Sequence, residues 1–212
     1  MASTSTAPPA PVSLPLRTLQ LSAPAHDPTG PAPTVCLARQ GDYFVLAHST
    51  LVDDMTPPLW AVLSVMAHED PFPGFSLGGK GSGEMFWIKT YSENKGILEQ
   101  LVEAGWVKVT GRTLKQGFVT LPMVEVQLEE SEISHQCPHC EMFEQVGDAE
   151  RFKRCQKCKK RYYCSREHQE LDWPEHKKDC KLLALDRRAE VENRKRRETA
   201  AYFGEGAEKF TL

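Results

Sequence analysis

The 212-residue sequence lacks the features that mark membrane, secreted and strongly basic proteins. No apolar run approaches the roughly 18 residues needed to cross a bilayer. The N-terminus has neither the basic start nor the apolar stretch of a secretory signal. The formal net charge is only -3, from 26 basic and 29 acidic residues. We therefore predict a protein without a membrane partner, located in the nucleus, the cytoplasm or both.

Residues 1–34 lack aromatic side chains and almost lack charge. Their only charged residues are Arg17 and Asp27, whereas eight of the fifteen prolines of the chain fall here. Such a segment buries little apolar surface, so nothing offsets the entropy that it would lose on ordering. We predict a disordered, proline-rich tail over residues 1–34.

Residues 35–130 contain the larger apolar runs and predict a small mixed α+β domain, whose role the sequence does not indicate. A β-hairpin is predicted around Gln40-Gly41-Asp42. Thr56, followed by two prolines, is typical of a helix start and predicts a helix to about Ala67. A second helix is predicted over Ser92–Ala104, with a capping box from Thr90 and an end at Gly105. Strands are predicted over Val35–Arg39, Tyr43–His48, Glu84–Tyr91, Trp106–Val109, Phe118–Leu121 and Val124–Leu128.

Two patterns in this domain resemble nucleotide-binding or DNA-binding elements. Gly74, Gly79 and Lys80 match a phosphate loop, but Gly81 stands where Ser or Thr is required and no core strand precedes the loop. A helix followed by a hairpin over residues 92–128 is compatible with a winged helix. However, residues 1–130 carry 8 basic and 13 acidic residues, a balance that repels a phosphate backbone. We expect a packing or partner-binding domain.

Cysteine is nearly absent outside one short segment, since six of the seven lie in residues 137–180. Together with two histidines they form four pairs whose spacing lets both members face one metal ion. Four pairs fill two tetrahedral sites with protein ligands alone, which indicates structural rather than catalytic zinc. Disulfides would leave the histidine spacing unexplained, and no export signal is present. The pairs are Cys137/Cys140, Cys155/Cys158, Cys164/His168 and His176/Cys180.

Two histidines and one cysteine lie outside these pairs. His135 and His139 are expected to be exposed, and either would become a ligand if His168 pointed away. Cys36 lies far from the other cysteines and is expected to be a small buried side chain.

The ligand order resembles that of the MYND zinc finger, as do Tyr163, Gln169, Asp172-Trp173 and the ending His176–Lys181. The family usually has a cysteine at position 168, but imidazole is also a good zinc ligand. The resemblance implies a finger over residues 135–181 that holds two zinc ions through interleaved ligand sets. The first set would be Cys137, Cys140, Cys164 and His168, and the second Cys155, Cys158, His176 and Cys180.

MYND fingers are protein-interaction modules that dock proline-rich segments, and the resemblance assigns peptide contacts to Gln169 and Trp173. A proline-rich peptide is already extended, so it loses little entropy on docking. The expected partners are proline-rich segments of other proteins and the chain's own tail, at residues 11–15. Pro57-Pro58-Leu59 is a further candidate. We predict a non-enzymatic adaptor or transcription-linked regulator.

Two alternatives stay open. Some lysine methyltransferases carry a MYND finger within a SET domain, but they need a longer catalytic region and a cofactor motif that this sequence lacks. The run Arg151–Arg161 has seven basic residues and no acid, and two tyrosines follow it, a pattern compatible with single-stranded nucleic acid. Residues 131–212 total only 18 basic and 16 acidic residues, which disfavours this role.

Residues 182–212 are predicted as a charged helix and tail, in which Arg194–Arg197 is either an import signal or a solvated face.

Overall fold

The computed structural model describes residues 16–22, 32–50, 58–65, 84–148 and 150–207. These residues form two β-sheets, a two-stranded ribbon and two α-helices. Within the described ranges, no helix combines the length and the apolar character needed to cross a membrane. The residues of the phosphate-loop pattern lie outside these ranges.

The first sheet has five strands, of which four follow the order of the chain: β1 (Thr18–Gln20), β2 (Thr34–Gln40), β3 (Tyr43–His48) and β4 (Leu59–Val62). The predicted hairpin of β2 and β3 is confirmed, and its turn passes through Gly41 at a φ of 61°. The prediction of a disordered tail is wrong for β1, which pairs antiparallel with β2. Residues 1–15 and 23–31 of that tail lie outside the described residues.

The second sheet contains β5 (Ser64–Val65), β6 (Met85–Ile88), β7 (Val107–Gln116) and β8 (Val119–Val126), in the order β5-β6-β8-β7. All three pairings are antiparallel. The strand predicted within residues 84–91 is confirmed. The three strands predicted between residues 106 and 128 are instead two longer ones, joined by a tight turn at Gly117 with a φ of 59°.

Both predicted helices of this domain need correction. The helix from Thr56 to Ala67 is wrong, because β4 and β5 occupy its described part. The second helix is shorter than predicted: α1 covers Ile97–Glu103 and begins at Gly96, after a single 3-10 turn. Its predicted end is confirmed, since Gly105 follows it with a φ of 70°.

The main core lies between the two sheets and α1. Its fully buried members include Leu37 and Leu46 of the first sheet, Val124 of the second, Leu101 of α1, and Trp106. The opposite face of β2 and β3 packs against Phe143, from the cysteine-rich segment. Cys36 belongs to this second cluster and is completely buried, as predicted.

The cysteine-rich segment continues directly from the first sheet. β9 (Ser134–His135) pairs in parallel with β2 at Ala38 and Arg39. A small ribbon follows, formed by β10 (Lys153–Arg154) and β11 (Tyr162–Tyr163). The last element is α2 (Arg166–Ala207), one 42-residue helix that contains Pro174 and takes the place of the several helices expected.

Candidate metal centres and docking face

Two cysteine knuckles present their sulfurs through the same backbone turn. In the first knuckle, Glu141 donates its backbone N–H to the carbonyl oxygen of Cys137 at 2.8 Å; in the second, Lys159 donates to that of Cys155 at 2.9 Å. Glu141 and Lys159 directly follow the second cysteine of each knuckle, and their φ angles of 61° and 57° lie in the left-handed region. The sequence signal for this turn is the Cys-x2-Cys spacing itself, which does not reveal the unusual backbone of the next residue.

The other four candidate ligands come from α2 and the residues just before it. Cys164 lies between β11 and α2, and His168 lies in the first turn of the helix. His176 and Cys180 are four residues apart, so they project from one face of α2. This arrangement brings ligands from distant parts of the chain to the two knuckles.

The first group joins Cys137, Cys140, Cys164 and His168. The sulfurs of Cys140 and Cys164 are 3.7 Å apart, and the Sγ of Cys137 is 3.8 Å from Nδ1 of His168. A tetrahedral zinc ion with bonds of about 2.3 Å to sulfur places two sulfurs about 3.8 Å apart. The first group therefore has the dimensions of a zinc site.

The second group joins Cys155, Cys158, His176 and Cys180, all of them buried. The sulfurs of Cys155 and Cys180 are 3.9 Å apart, and the Sγ of Cys158 is 3.5 Å from Nε2 of His176. The imidazole of His176 makes edge contacts with the rings of Tyr163 and Trp173, which hold it in place. The two groups interleave along the chain as the resemblance implies.

Without a cation, the surroundings of Cys164 and Cys180 favour the neutral thiol over the thiolate that binds zinc. Burial, together with a hydrogen bond to Cys140, raises the pKa of Cys164 to about 12. Burial and the sulfur of Cys155 raise the pKa of Cys180 to about 11. At Cys137, burial raises the pKa, but backbone N–H groups outweigh it and lower the pKa to about 7. Three thiolates at such short distances repel one another, and a divalent ion at the centre removes this repulsion.

The family comparison decides what this segment is. Residues 135–180 match the family model of the MYND finger. This segment is a MYND finger. A MYND finger is a zinc-binding module that mediates protein–protein interactions, and the two ligand groups fit two structural zinc ions. No solved structure matches the chain at a significant level.

His135 links the MYND finger to the β-sheet domain. The prediction that its side chain is exposed is wrong. Its side chain is only 3 % exposed. Its Nδ1 lies 2.9 Å from Glu144 and its Nε2 lies 3.0 Å from Glu130, while its ring stacks on Tyr162. His135 therefore belongs to the interface and not to a zinc site, whereas His139 is exposed as predicted.

Glu144 is the acid that fixes His135 from the finger side of this interface. Its two oxygens accept hydrogen bonds from the backbone and ring of His135, from Nε and Nη2 of Arg151, and from the backbone of Phe152, at 2.7–2.9 Å. Burial alone would raise the pKa of Glu144, but His135 and Arg151 outweigh it and lower the pKa. The carboxylate is thus ionised and fully bonded inside the protein.

The other acid of the interface is Glu130. Burial raises its pKa, but the hydrogen bond from His135 and the charge of Arg39 outweigh burial and hold the pKa well below its usual range. Arg39 also pairs with Glu84, next to β6. The interface therefore joins residues from both sheets to the MYND finger.

The candidate peptide contacts lie on α2, next to the second metal group. Trp173 contacts the ring of His176 with a centroid distance of 5.7 Å and keeps 41 % of its surface exposed. Gln169 is half-buried, one helical turn earlier on the same face. Trp173 thus supports the zinc site and still presents an aromatic surface to solvent.

Proposed function

We propose that this protein is a non-enzymatic adaptor whose MYND finger docks proline-rich peptide segments on Gln169 and Trp173. The observation that carries this proposal is the 41 % exposure of a large aromatic ring held rigidly beside a metal site. Aromatic surfaces suit the apolar rings of an extended proline-rich chain, which loses little entropy on binding. The half-buried amide of Gln169 supplies a donor and an acceptor for the peptide backbone.

A direct binding measurement tests this proposal. We suggest a fluorescein-labelled peptide with the sequence of residues 8–16, titrated with the zinc-loaded full chain and followed by fluorescence anisotropy. Trp173→Ala should weaken binding by about tenfold or more, as expected for an aromatic anchor. The zinc content should stay at two ions per chain.

Leu171→Ala is the matched control. Leu171 is 61 % exposed and lies two residues before Trp173, about 200° around the helix axis. This variant should bind the peptide as the unchanged protein does. Equal binding by Trp173→Ala and Leu171→Ala, with zinc retained in both, would contradict docking on Trp173.

The chain's own tail is a second proposed ligand, since residues 11–15 contain two prolines around Val12-Ser13-Leu14. Deleting residues 2–15 leaves β1 intact, because that strand begins at Thr18. If the tail occupies the docking face, the deletion should strengthen binding of the external peptide. Unchanged affinity would remove the tail as a ligand.

The proposed cellular role is that of a transcription-linked regulator, in the nucleus, the cytoplasm or both. The alternative is an enzyme of the lysine methyltransferase type. An assay of methyl transfer to histone and peptide substrates separates the two, because an adaptor transfers no methyl group.

A further inference from the structure

Some basic side chains of the run Arg151–Arg161 form ion pairs with carboxylates, and others do not. Arg151 pairs with Glu144 at 2.8 Å. Arg161 pairs with Asp172 at 3.1 Å and lies 3.8 Å from Asp179. Lys153 lies 3.1 Å from Glu150 at the surface. Much of the positive charge of this run is therefore paired with acids of the protein itself.

Three exposed cations of the run stand apart from these pairs. Arg154, Lys157 and Lys159 are exposed, and within the described ranges none of them makes an ion pair. The second metal group, with three thiolates, one neutral imidazole and a divalent zinc ion, carries a net charge of -1. Three unpaired positive charges exceed the single negative charge of this centre, so the surface formed by these three side chains remains positive.

This positive surface lies beside the aromatic docking face. Lys157 and Lys159 directly flank Cys158, whose Sγ is 3.5 Å from Nε2 of His176. Trp173 contacts the same imidazole with a centroid distance of 5.7 Å. The left-handed backbone at Lys159 also fixes the direction in which its side chain leaves the knuckle. One metal group therefore positions both the cations and the aromatic ring.

We propose that the peptide segment docked on Trp173 carries acidic residues next to its prolines, and that these pair with Lys157 and Lys159. This inference rests on the proposed docking function and specifies the partner's chemistry. The apolar ring supplies the anchor, and the cations select among proline-rich segments by their flanking charge.

A nucleic acid fits this surface less well than an acidic peptide. Exposed acids lie on α2 on both sides of Trp173, at Glu170 and Glu175, and among the described residues each shares its charge only with one exposed cation of the same helix, Arg166 or Lys178. A phosphate backbone that follows the surface meets these acids, whereas a short peptide places its charge at the knuckle alone.

Three synthetic peptides with the same core test the inference. Each contains residues 8–16 of this chain and is flanked at both ends by three glutamates, by Ser-Gly-Ser or by three lysines. At about 50 mM salt, the glutamate peptide should bind the zinc-loaded full chain about fivefold to tenfold more tightly than the neutral one. The lysine peptide should bind more weakly than both. At about 500 mM salt, screening should abolish these differences.

A charge variant with a matched control assigns the effect to the knuckle. Lys157→Gln combined with Lys159→Asn should lose the preference for glutamate but keep the binding of the neutral peptide. Asparagine is chosen at position 159 because it tolerates a left-handed backbone. Lys108→Gln combined with Lys115→Gln removes the same charge from exposed positions on β7 and should keep the preference. Both double variants should retain two zinc ions.

The outcomes separate this inference from the proposed function. Equal binding of the glutamate and neutral peptides would overturn the acidic specificity and leave docking intact. Failure of all three peptides to bind would overturn both. A single-stranded oligothymidylate that binds more tightly than the glutamate peptide, and loses its affinity when Lys157 and Lys159 are replaced, would assign the surface to nucleic acid and overturn the inference.

Discussion

At the scale of single residues, Glu144 shows how a charge is accommodated inside this protein. Its side chain is 1 % exposed, and removing a carboxylate from water costs several kcal/mol unless it is paired and hydrogen-bonded. His135, Arg151 and the backbone of Phe152 provide these bonds. Loss of the carboxylate leaves the half-buried guanidinium of Arg151 without its counter-ion and the buried ring of His135 without a hydrogen-bond partner, which is more costly than loss of an exposed ion pair.

Glu144→Ala should therefore lower the free energy of unfolding by about 3–5 kcal/mol. Glu150→Ala is the control, since Glu150 is 74 % exposed and its ion pair with Lys153 contributes about 0–1 kcal/mol. Urea denaturation of the zinc-loaded proteins measures both. A similar, small change in the two variants would show that the buried interface does not stabilise the fold.

Individual cysteines should differ sharply in their effect on zinc content. Cys158→Ser removes a ligand from the second group, so bound zinc should fall from two ions per chain to one. Cys36→Ser changes a cysteine that is equally buried but packs against Ala38 and Val45, far from both groups. It should keep two ions, as measured by atomic emission on desalted protein. Loss of zinc from Cys36→Ser would contradict the assignment of that cysteine to the core.

The sequence could predict the metal-binding residues because their chemistry depends on short spacings. It could not predict the environment of His135, whose partners Glu130, Glu144 and Tyr162 come from three different segments. Nothing in the local sequence distinguishes this buried histidine from the exposed His139. Burial of a polar side chain depends on long-range packing, and spacing alone does not encode it.

At the scale of secondary-structure elements, α2 is the part on which both metal groups depend. It supplies His168 to the first group and His176 and Cys180 to the second. Its contacts with the finger extend to Leu183 and Ala184, which pack against the buried cysteines. Among the side chains of α2 that the structure describes, Leu183 and Ala184 are the last that pack in this cluster.

Truncation within α2 tests this division. A chain ending at Leu185 should bind two zinc ions and should keep the affinity of the full chain for the proline-rich peptide. A chain ending at Glu175 lacks His176 and Cys180, and should lose the second zinc ion together with peptide binding. Zinc content and anisotropy measure the two properties. Loss of either property from the longer fragment would place a required contact beyond residue 185.

The elements that the sequence predicted well have local signals. The hairpin of β2 and β3 follows from two apolar runs around Gly41, and the end of α1 follows from Gly105. The run Leu59–Val65 was misleading, because an apolar stretch interrupted only by Ser64 suits a buried strand as well as a helix. The prolines before it favoured the prediction of a helix, which is wrong. The pairing of β4 in the first sheet and of β5 in the second decided the outcome.

At the scale of the whole molecule, the β-sheet domain and the MYND finger form one folded unit. β9 extends the first sheet, Phe143 covers the outer face of that sheet, and His135 of the finger contacts Glu130, which precedes it. Such contacts between distant segments have no signature in a sequence without its structure. They connect the segments that the sequence predicts as an α+β domain and a finger.

Removal of zinc should consequently weaken the entire protein. Structural zinc in finger peptides contributes on the order of 10–16 kcal/mol, comparable to the whole stability of a typical domain. Calorimetry of the zinc-loaded chain should show one unfolding transition, and a chelator should move this transition to lower temperature by more than about 10 °C. Two transitions, of which the chelator shifts only one, would show that the β-sheet domain folds independently.

The parallel strand β9 has a practical consequence for anyone who expresses a fragment of this protein. The matched segment begins at position 135, in the middle of that strand. A fragment expressed with the matched boundaries would therefore lack Ser134 and would lose the pairing of β9 with β2. The recombinant peptide would expose Phe143, which packs on β2 and β3 in the full chain, and would tend to precipitate during purification. A usable clone should start no later than Leu16, before the first strand of the sheet that β9 completes.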